Sequence, residues 1–169
     1  MMDSNSTWNT LPRGWMWVSM DSLVDDPKQD IVDGPFGSNL KVCEYRLEGV
    51  PVFKIQNIKS NKFIDKNINY ISNEKAGSLF RHSFQRGDLI ITKLGDPLGL
   101  CCKVPEKYSF GIIVADLMRL RPSNRKVFTD YLLYSVNSDI VQKQLQSITK
   151  GTTRPRVNLT IVRDIQIPL

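Results

Sequence analysis

The chain has 169 residues, of which 41% are hydrophobic and 24% are charged, enough for the core of one globular domain. No apolar run approaches the ~18 residues of a membrane span, and residues 1–10 lack the apolar centre of a signal peptide, which excludes integral membrane and secreted classes. The net charge is +6, but the first 40 residues hold two cations and six carboxylates, so they carry −4 and the rest carries +10.

This charge asymmetry is typical of a protein that meets a polyanion from one side, although many basic proteins never bind nucleic acid. We expect a cytoplasmic protein with a flexible terminus at residues 1–10, a single domain at residues 11–169 and no membrane partner. The odd number and the spacing of Cys43, Cys101 and Cys102 support neither disulfides nor a zinc site, so reduced thiols are predicted.

A short strand opens the domain after the turn residues Pro12 and Gly14. Trp15 and Trp17 stand two residues apart, which puts both indoles on one face of a strand. We expect both in the core. Stacking on bases is the alternative, and it is disfavoured because the two tryptophans lie in the acidic part of the chain.

The segment Asp33–Lys41 is a loop bounded by glycines. It lacks the Gly-Lys-Ser/Thr ending of a nucleotide P-loop, so nucleotide binding is not expected. Ser38 and Asn39 are candidate polar contacts on its tip, and an ordinary solvated turn is the alternative.

Alternating apolar and polar residues predict a strand over residues 50–58, with Ile55 among its buried positions. Lysine pairs with guanine in a major groove, and glutamine and asparagine pair with adenine. Lys54, Gln56 and Asn57 are therefore candidate base contacts, although an exposed strand face has the same composition.

A further strand is predicted at Asn67–Ile71, and Ser72 and Asn73 are good N-caps for a helix over residues 74–83. His82, the single histidine, has no catalytic partner at a fixed spacing. We expect it to be structural.

The most informative stretch is a β-branched apolar run, Leu89–Thr92, followed by Lys93 and a glycine-rich loop that ends at Gly99. It predicts a buried strand that holds Lys93 at its end, while glycines allow a ligand to approach the backbone. A cation in this position is suited to a phosphate or a base edge. The alternative is a surface lysine beside an ordinary turn.

The remaining pattern predicts strands and helices that alternate irregularly along the chain. The expected elements are strands at Leu100–Val104 and Phe110–Leu120, a helical pattern over Tyr131–Ile148 that breaks near Asn137–Asp139, a short helix at Thr160–Asp164 and a strand at Ile165–Leu169. Several short strands with few crossover helices indicate an α+β fold, a twisted and mostly antiparallel sheet with packed helices.

The densest cationic cluster in the chain is the segment Lys150–Asn158. Gly151 ends the preceding helix, and cations, hydroxyls and an amide follow within a few residues. All of these groups donate hydrogen bonds to phosphates or base edges. The helix dipole accounts for Lys150 but not for Arg154 and Arg156 beyond the glycine, so nucleic-acid contact is favoured.

Five stretches of the chain resemble, in order, one target recognition domain from the specificity subunit of a type I restriction-modification system. They are residues 11–15, 33–40, 49–58, 87–93 and 151–169. The resemblance implies a DNA-reading module. In this family two such domains, separated by long helices, each recognise half of a split DNA target.

The resemblance also implies partners: double-stranded DNA, methyltransferase subunits that convert adenine to N6-methyladenine, and a motor-nuclease subunit. No long heptad helix follows Leu169, so we expect a half-subunit or a piece that stops before the spacer helix. A second specificity half-subunit is then a further possible partner.

Catalysis and cofactors are not expected, because the Asn/Asp-Pro-Pro-Tyr/Phe motif of amino-methyltransferases and a glycine-rich cofactor loop are absent. The alternatives are a small nuclease or modification enzyme with divergent motifs, and a basic protein-interaction domain. The candidate DNA-contacting residues are Ser38, Asn39, Lys54, Gln56, Asn57, Lys93, Lys150, Thr152, Thr153, Arg154, Arg156 and Asn158.

We expect these residues to divide into two roles. Lys150, Arg154 and Arg156 suit phosphate contact, because cations clustered past a helix end neutralise the DNA backbone. Residues held on strand ends suit the reading of bases.

Overall fold

The computed structural model describes residues 10–149 and 156–169, and this part of the chain is an α+β fold of mostly antiparallel strands. The fold class predicted from the sequence is therefore confirmed. The strands are β1 (Trp17–Ser19), β2 (Ile31–Asp33), β3 (Val50–Phe53), β4 (Ile58–Lys59), β5 (Lys62–Phe63), β6 (Asn69–Ile71), β7 (Ser83–Gln85), β8 (Leu89–Thr92), β9 (Cys101–Lys103), β10 (Phe110–Ile113), β11 (Leu117–Leu120) and β12 (Gln166–Pro168). The α-helices are α1 (Pro27–Asp30), α2 (Asn73–Ser78), α3 (Thr129–Val136), α4 (Asp139–Thr149) and α5 (Leu159–Asp164).

One four-stranded sheet has the order β2-β11-β8-β9 and is antiparallel throughout. All four residues of β8 are buried, as predicted for the run Leu89–Thr92. A strand covered on both faces needs apolar residues at consecutive positions, which explains why this run does not alternate.

The second four-stranded sheet has the order β6-β3-β10-β7. Its β3–β10 pair is parallel and aligns Ile113 with Phe53, while its other pairs are antiparallel. The apolar run Phe110–Leu120 crosses from this sheet to the first one through a turn at Val114–Asp116, closed by the Leu117 amide donating to the Val114 carbonyl. The expectation of a single sheet is wrong, because this run supplies one strand to each of the two large sheets.

The first sheet lies between the long helices and the second sheet. Leu89 and Ile91 of β8 pack in one apolar cluster with Leu132 of α3 and Leu145 of α4. Ile90, which points to the opposite face of β8, packs with Phe53 of β3. Helix α2 covers the outer face of the second sheet, where its Ala76 belongs to a third cluster. The strand ends therefore project from a core that is packed on both sides of each large sheet.

Two small antiparallel pairs complete the fold, β1 with β12 and β4 with β5. The core position predicted for Trp15 is wrong, since 47% of this residue is exposed. Gly14 has a φ of +92°, and the Trp15 amide donates to the Pro12 carbonyl, so Trp15 belongs to a turn and the strand begins at Trp17. Trp17 is half-buried, as expected for this strand.

The predicted helices agree with the structure in extent except at α2, and α1 was not predicted. The helix predicted over residues 74–83 is wrong in its second half, because α2 ends at Ser78 and a 3-10 turn, Phe80–His82, leads directly into β7. The break predicted at Asn137–Asp139 is confirmed. The Asn137 side chain accepts from the Cys101 amide and donates to the Cys101 carbonyl, which ties the break to β9.

The strand predicted over residues 50–58 is also shorter than expected. It ends at Phe53, and the 3-10 turn Ile55–Asn57 follows, in which Ile55 is 36% exposed instead of buried. The flexible terminus predicted at residues 1–10 lies outside the described residues, apart from Thr10. Among the described residues, no helix combines the length and apolar character required to cross a membrane.

Candidate nucleic-acid interface

Five loops meet at one end of the two large sheets, which we call the loop end. The register of the parallel pair makes β3 and β10 end together. Because β11 begins immediately after β10, its antiparallel neighbours β2 and β8 also end there. The loop end comprises residues 33–41, 54–57, 93–99, 114–116 and 156–158.

Backbone hydrogen bonds join these loops into one surface. The donor and acceptor pairs are Val114 N to Phe53 O (3.1 Å), Gly34 N to Leu117 O (3.0 Å), Lys93 N to Asp116 O (2.8 Å) and Val157 N to Lys93 O (3.0 Å). Segments that are distant in sequence therefore present their side chains from fixed positions, as a recognition surface built on a rigid scaffold requires.

Gly34 is the tightest point of the loop end. A Cβ atom at this position would lie 2.0 Å from the Val114 carbonyl oxygen, which is backbone and has no side-chain freedom to move away. At Gly37, in the same loop, a Cβ atom would meet nothing within 4 Å. The absence of a side chain at Gly34 is therefore what lets β2 and the turn at Val114–Asp116 approach each other.

Lys93 stands at the end of β8, as the sequence predicts, but it is not a free cation. Its Nζ atom lies 3.0 Å from Asp33 Oδ2, and its side chain is only 13% exposed. Lys93 therefore neutralises Asp33 at the end of β2, and a contact with DNA would require it to share or leave this carboxylate.

Arg156 lies at the loop end beside Leu94, with which it forms an isolated β-bridge. Its guanidinium is 3.3 Å from Asp116 Oδ1, and both side chains reach solvent, at 62% and 39% exposure. Asn158 is exposed, and its Oδ1 atom accepts from the Ile161 amide, which makes it the N-cap of α5. Both residues are accessible to solvent, but the side-chain oxygen of Asn158 is already used to cap α5.

The three candidate residues after β3 have different environments. Asn57 is fully buried, and its amide group donates to the carbonyls of Ile64 and Lys66. Its Oδ1 atom accepts from the Lys54 amide. The prediction that Asn57 contacts a base is therefore wrong, because every polar atom of its side chain is already bonded within the protein. Gln56 is exposed.

The Lys54 ammonium lies 4.4 Å from the centre of the Tyr45 ring, a cation–π arrangement. Ser38 and Asn39 are exposed on a 3-10 turn, Gly37–Asn39. Phe36, immediately before this turn, is 83% exposed. These polar and aromatic side chains remain accessible at the loop end.

Four of the predicted contacts, Lys150, Thr152, Thr153 and Arg154, lie outside the described residues. The first described residue after them, Arg156, lies at the loop end.

The sequence analysis missed Asp33 and Asp116, the carboxylate partners of the two cations. Asp33 stands in the acidic first segment and begins the loop Asp33–Lys41, but it was not a candidate contact, and Asp116 lies inside a run interpreted as one strand. The available signal for Asp33 was its position directly before a glycine at the end of an apolar run.

Several cations outside the loop end are structural. Arg119 is 4% exposed and donates to the carbonyls of Ser83 and Gln29, and it thus connects β11 to β7 and α1. Burial lowers the pKa of Arg119 to about 10, and nearby Arg121 contributes in the same direction. The positive charge of the chain is therefore not all available to a ligand.

Arg121 is held by two hydrogen bonds of 2.8 Å to Asp88, a carboxylate that is 2% exposed. The bond to Asp88 raises the pKa of Arg121 above its ordinary value, against the effect of burial. This pair lies at the start of β8, opposite the loop end.

The remaining titratable candidates form no reaction centre among the described residues. His82 Nδ1 is 2.6 Å from the Asp33 carbonyl oxygen, consistent with the structural role expected for it. Cys101 and Cys102 are free and buried in β9, while Cys43 is free and exposed. No group of three or more potential metal ligands occurs in residues 10–149 and 156–169.

Comparison with known proteins gives a consistent result. No family model matches the chain. The chain is 21% identical over 166 residues to the type I restriction enzyme MjaVIII specificity subunit of Methanocaldococcus jannaschii, an alignment that covers 94% of this chain and 36% of that subunit. The resemblance inferred from the sequence motifs is thus confirmed, and the chain spans about a third of that relative's length.

Solved structures share the fold. A chain from a structure of type I R-M complex assembly and conformational transition matches with a TM-score of 0.66 and 20% identity, covering 95% of this chain and 35% of that chain. The HsdS subunit from Thermoanaerobacter tengcongensis matches with a TM-score of 0.60 and 18% identity, over 95% of this chain and 34% of that one. The S subunit from M. genitalium matches with a TM-score of 0.57 and 14% identity, over 96% of this chain and 36% of that one.

Proposed function

We propose that residues 11–169 form a target recognition domain of the type I specificity-subunit kind, which reads one half of a bipartite DNA target. The observation that carries this proposal is the convergence of polar and charged side chains from five separate loops on the loop end. A second support is the similarity of the chain, over nearly its whole length, to a type I specificity subunit.

The loop end has the parts that readout of duplex DNA requires. Rigid strand ends position the side chains, and short loops allow a close approach to a groove. Gln56 and Asn39 carry donor and acceptor groups that pair with adenine, and Ser38 and Lys54 add donors. All four are at the loop end, and none is buried.

Affinity for any duplex comes from phosphate contacts. We assign this role to Lys150, Thr152, Thr153 and Arg154, whose residue types donate to phosphate oxygens. Asn158 lies close enough in sequence to add its amide group. Asn57 is excluded from the interface and instead supports the loop that carries Lys54 and Gln56.

The proposed module acts as part of a larger assembly. It would direct methyltransferase subunits, and with them the motor-nuclease subunit, to the DNA half-site that it reads. A second specificity half, on the same chain or on another, would supply the other half of the target. The module itself is proposed to be non-catalytic and to need no cofactor.

The decisive experiment is a selection from a random duplex library with the module assembled with its methyltransferase subunits. We expect enrichment of one short half-site motif. A variant with Gln56→Ala and Asn39→Ala should lose preference at one or two positions, at about 1–3 kcal/mol for each good base contact. Arg86→Gln is the matched control, because this exposed cation lies before the start of β8, opposite the loop end.

Enrichment of no motif by the assembled protein would contradict DNA readout. Cleavage or methyl transfer by the chain alone, incubated with DNA, a divalent metal and S-adenosylmethionine, would contradict the non-catalytic role.

A further inference from the structure

Four charged side chains of alternating sign lie in series at the loop end. Asp33 pairs with Lys93 at 3.0 Å, and Asp116 pairs with Arg156 at 3.3 Å. The two pairs are linked through the backbone, because the Lys93 amide donates to the Asp116 carbonyl. The carboxylates come from the end of β2 and from the turn between β10 and β11.

This cluster has no net charge, which makes it a poor phosphate-binding site. Phosphate contacts stabilise a complex because cations neutralise the DNA and release its counterions. A carboxylate that is 39% exposed, as in both Asp33 and Asp116, instead repels a nearby phosphate. The cluster is therefore unsuited to the backbone-binding role that the sequence indicated for Arg156.

Two neighbouring side chains of opposite charge are well suited to recognise a base pair. In the major groove guanine presents two acceptors, N7 and O6, and its partner cytosine presents the N4 amino donor. Arginine donates to the guanine acceptors, and an aspartate accepts from the cytosine amino group. An Arg–Asp pair thus offers donors and an acceptor that match the two halves of one G·C pair.

We propose that Asp116 and Arg156 together read a G·C base pair, with Asp116 as a specificity-determining acceptor. This inference rests on the DNA-binding function proposed above. Arg156 is the more accessible cation of the cluster, at 62% exposure against 13% for Lys93. Asp33 and Lys93 are positioning residues, because their ion pair joins the ends of β2 and β8 and the Lys93 amide donates to the Asp116 carbonyl.

The ion pair also prepares Arg156 for binding. A guanidinium held by a carboxylate loses less side-chain freedom when it meets a base than one that moves freely in solvent. The pair therefore has a defined geometry before DNA arrives, and Asp116 keeps an acceptor group beside the donors of Arg156.

Asp116→Asn separates the two roles that a carboxylate can have near DNA. If Asp116 only repels phosphate, its neutralisation strengthens binding to every duplex alike. If it accepts from cytosine, the variant weakens binding to the target, because an amide oxygen is a weaker acceptor than a carboxylate and no longer forms an ion pair with Arg156. Binding to other sequences is then unchanged or slightly stronger. The two readings predict changes of opposite sign for the target duplex.

The test uses the full specificity subunit assembled with its methyltransferase subunits, and Kd is measured for target and scrambled duplexes at several salt concentrations. We expect Asp116→Asn to reduce the ratio of target to scrambled affinity by about tenfold. Library selection with this variant should relax one base-pair position and leave the others unchanged. Binding to the scrambled duplex reports that the variant is folded and assembled.

Asp25→Asn is the matched control. Asp25 forms an exposed ion pair with Arg125 at 3.2 Å, close to the 3.3 Å of the reading pair. It lies with Arg86 and Asp88 around a cleft at the end of the sheet opposite the loop end. We expect this variant to retain both the affinity ratio and the selected motif.

Two failures are distinguishable. A wild-type assembly that selects no motif contradicts the proposed function itself. A wild-type assembly that selects a motif, combined with an Asp116→Asn variant that selects the same motif or binds all duplexes more tightly, overturns this inference alone.

Discussion

At the scale of single residues, the polar groups of the loop end divide into those that support the loops and those that remain available. Asn57 belongs to the first group, because the amide group of its side chain forms hydrogen bonds with three backbone groups of the protein. Gln56, its neighbour in sequence, is exposed. The residue types of Asn57 and Gln56 do not show which side chain is buried. Only the path of the folded backbone determines it.

Asn57→Ala is expected to destabilise the protein by more than about 2 kcal/mol, because it removes a fully buried side chain and the three hydrogen bonds that this side chain makes to backbone groups of Lys54, Ile64 and Lys66. Gln56→Ala, the matched control, should change the free energy of unfolding by less than about 0.5 kcal/mol. Urea denaturation measures both. An Asn57→Ala variant with normal stability and altered base preference would restore the role that we have rejected.

The three cysteines should differ in reactivity. Burial raises the pKa of Cys101, with a smaller effect from its neighbour, and burial raises the pKa of Cys102 to about 12. Because the thiolate is the reactive form, iodoacetamide at neutral pH should modify Cys43, which is exposed, and reach the other two only after unfolding. Mass spectrometry before and after denaturation counts the modified thiols.

The same burial predicts an alkaline loss of stability. A thiol whose pKa is raised in the folded state binds its proton more tightly there, so its contribution is complete below its ordinary pKa of 9.0 and is lost as the pH rises toward 12. The slope is at most about 1.4 kcal/mol per pH unit for each thiol. Cys102→Ala should reduce this slope between pH 9 and 12, measured by denaturation at each pH.

At the scale of the elements, the loop end depends on close contact between the end of β2 and the β10–β11 turn. Gly34→Ala would drive a methyl group into the Val114 carbonyl, so we expect a cost of more than about 2 kcal/mol and weaker target binding. Gly37→Ala, in the same loop, meets open space and should be neutral or slightly stabilising. Equal effects of the two variants, in thermal unfolding and duplex binding, would show that this contact does not shape the surface.

Two apolar runs show which strands can be predicted from the sequence and which cannot. The run Leu89–Thr92 identified β8 and the position of Lys93 correctly, because a strand buried on both faces has a strong local pattern. The run Phe110–Leu120 concealed a change of sheet, since the Val114–Asp116 turn carries only one polar residue. The pairing of Lys93 with Asp33 was not predictable, because it depends on β2 and β8 lying on either side of β11 in the folded sheet.

At the scale of the whole molecule, the net charge overstates the surface that can hold DNA. Arg119 is buried, and Arg163 donates to the carbonyls of Pro27 and Ile31. Both cations stabilise the fold. Neither is available to DNA, and the phosphate contacts of the proposed complex are assigned to the set Lys150, Thr152, Thr153 and Arg154.

The salt dependence of binding tests this set. Lys150→Ala and Arg154→Ala should each weaken target and scrambled duplexes alike and lower the salt slope by about one unit. Arg86→Gln should leave the slope unchanged. Loss of target binding with scrambled binding intact in the Arg154→Ala variant would show that this residue reads bases instead.

The pairing of β1 with β12 has a consequence for synthesis. The ribosome produces the chain from its N-terminus, yet β1 finds its partner only when Gln166–Pro168, the last described strand, has emerged. β2 likewise waits for β11. The apolar residues of these early strands therefore lack their partners while most of the domain is translated, and the domain can complete its fold only after Gln166–Pro168 has left the ribosome.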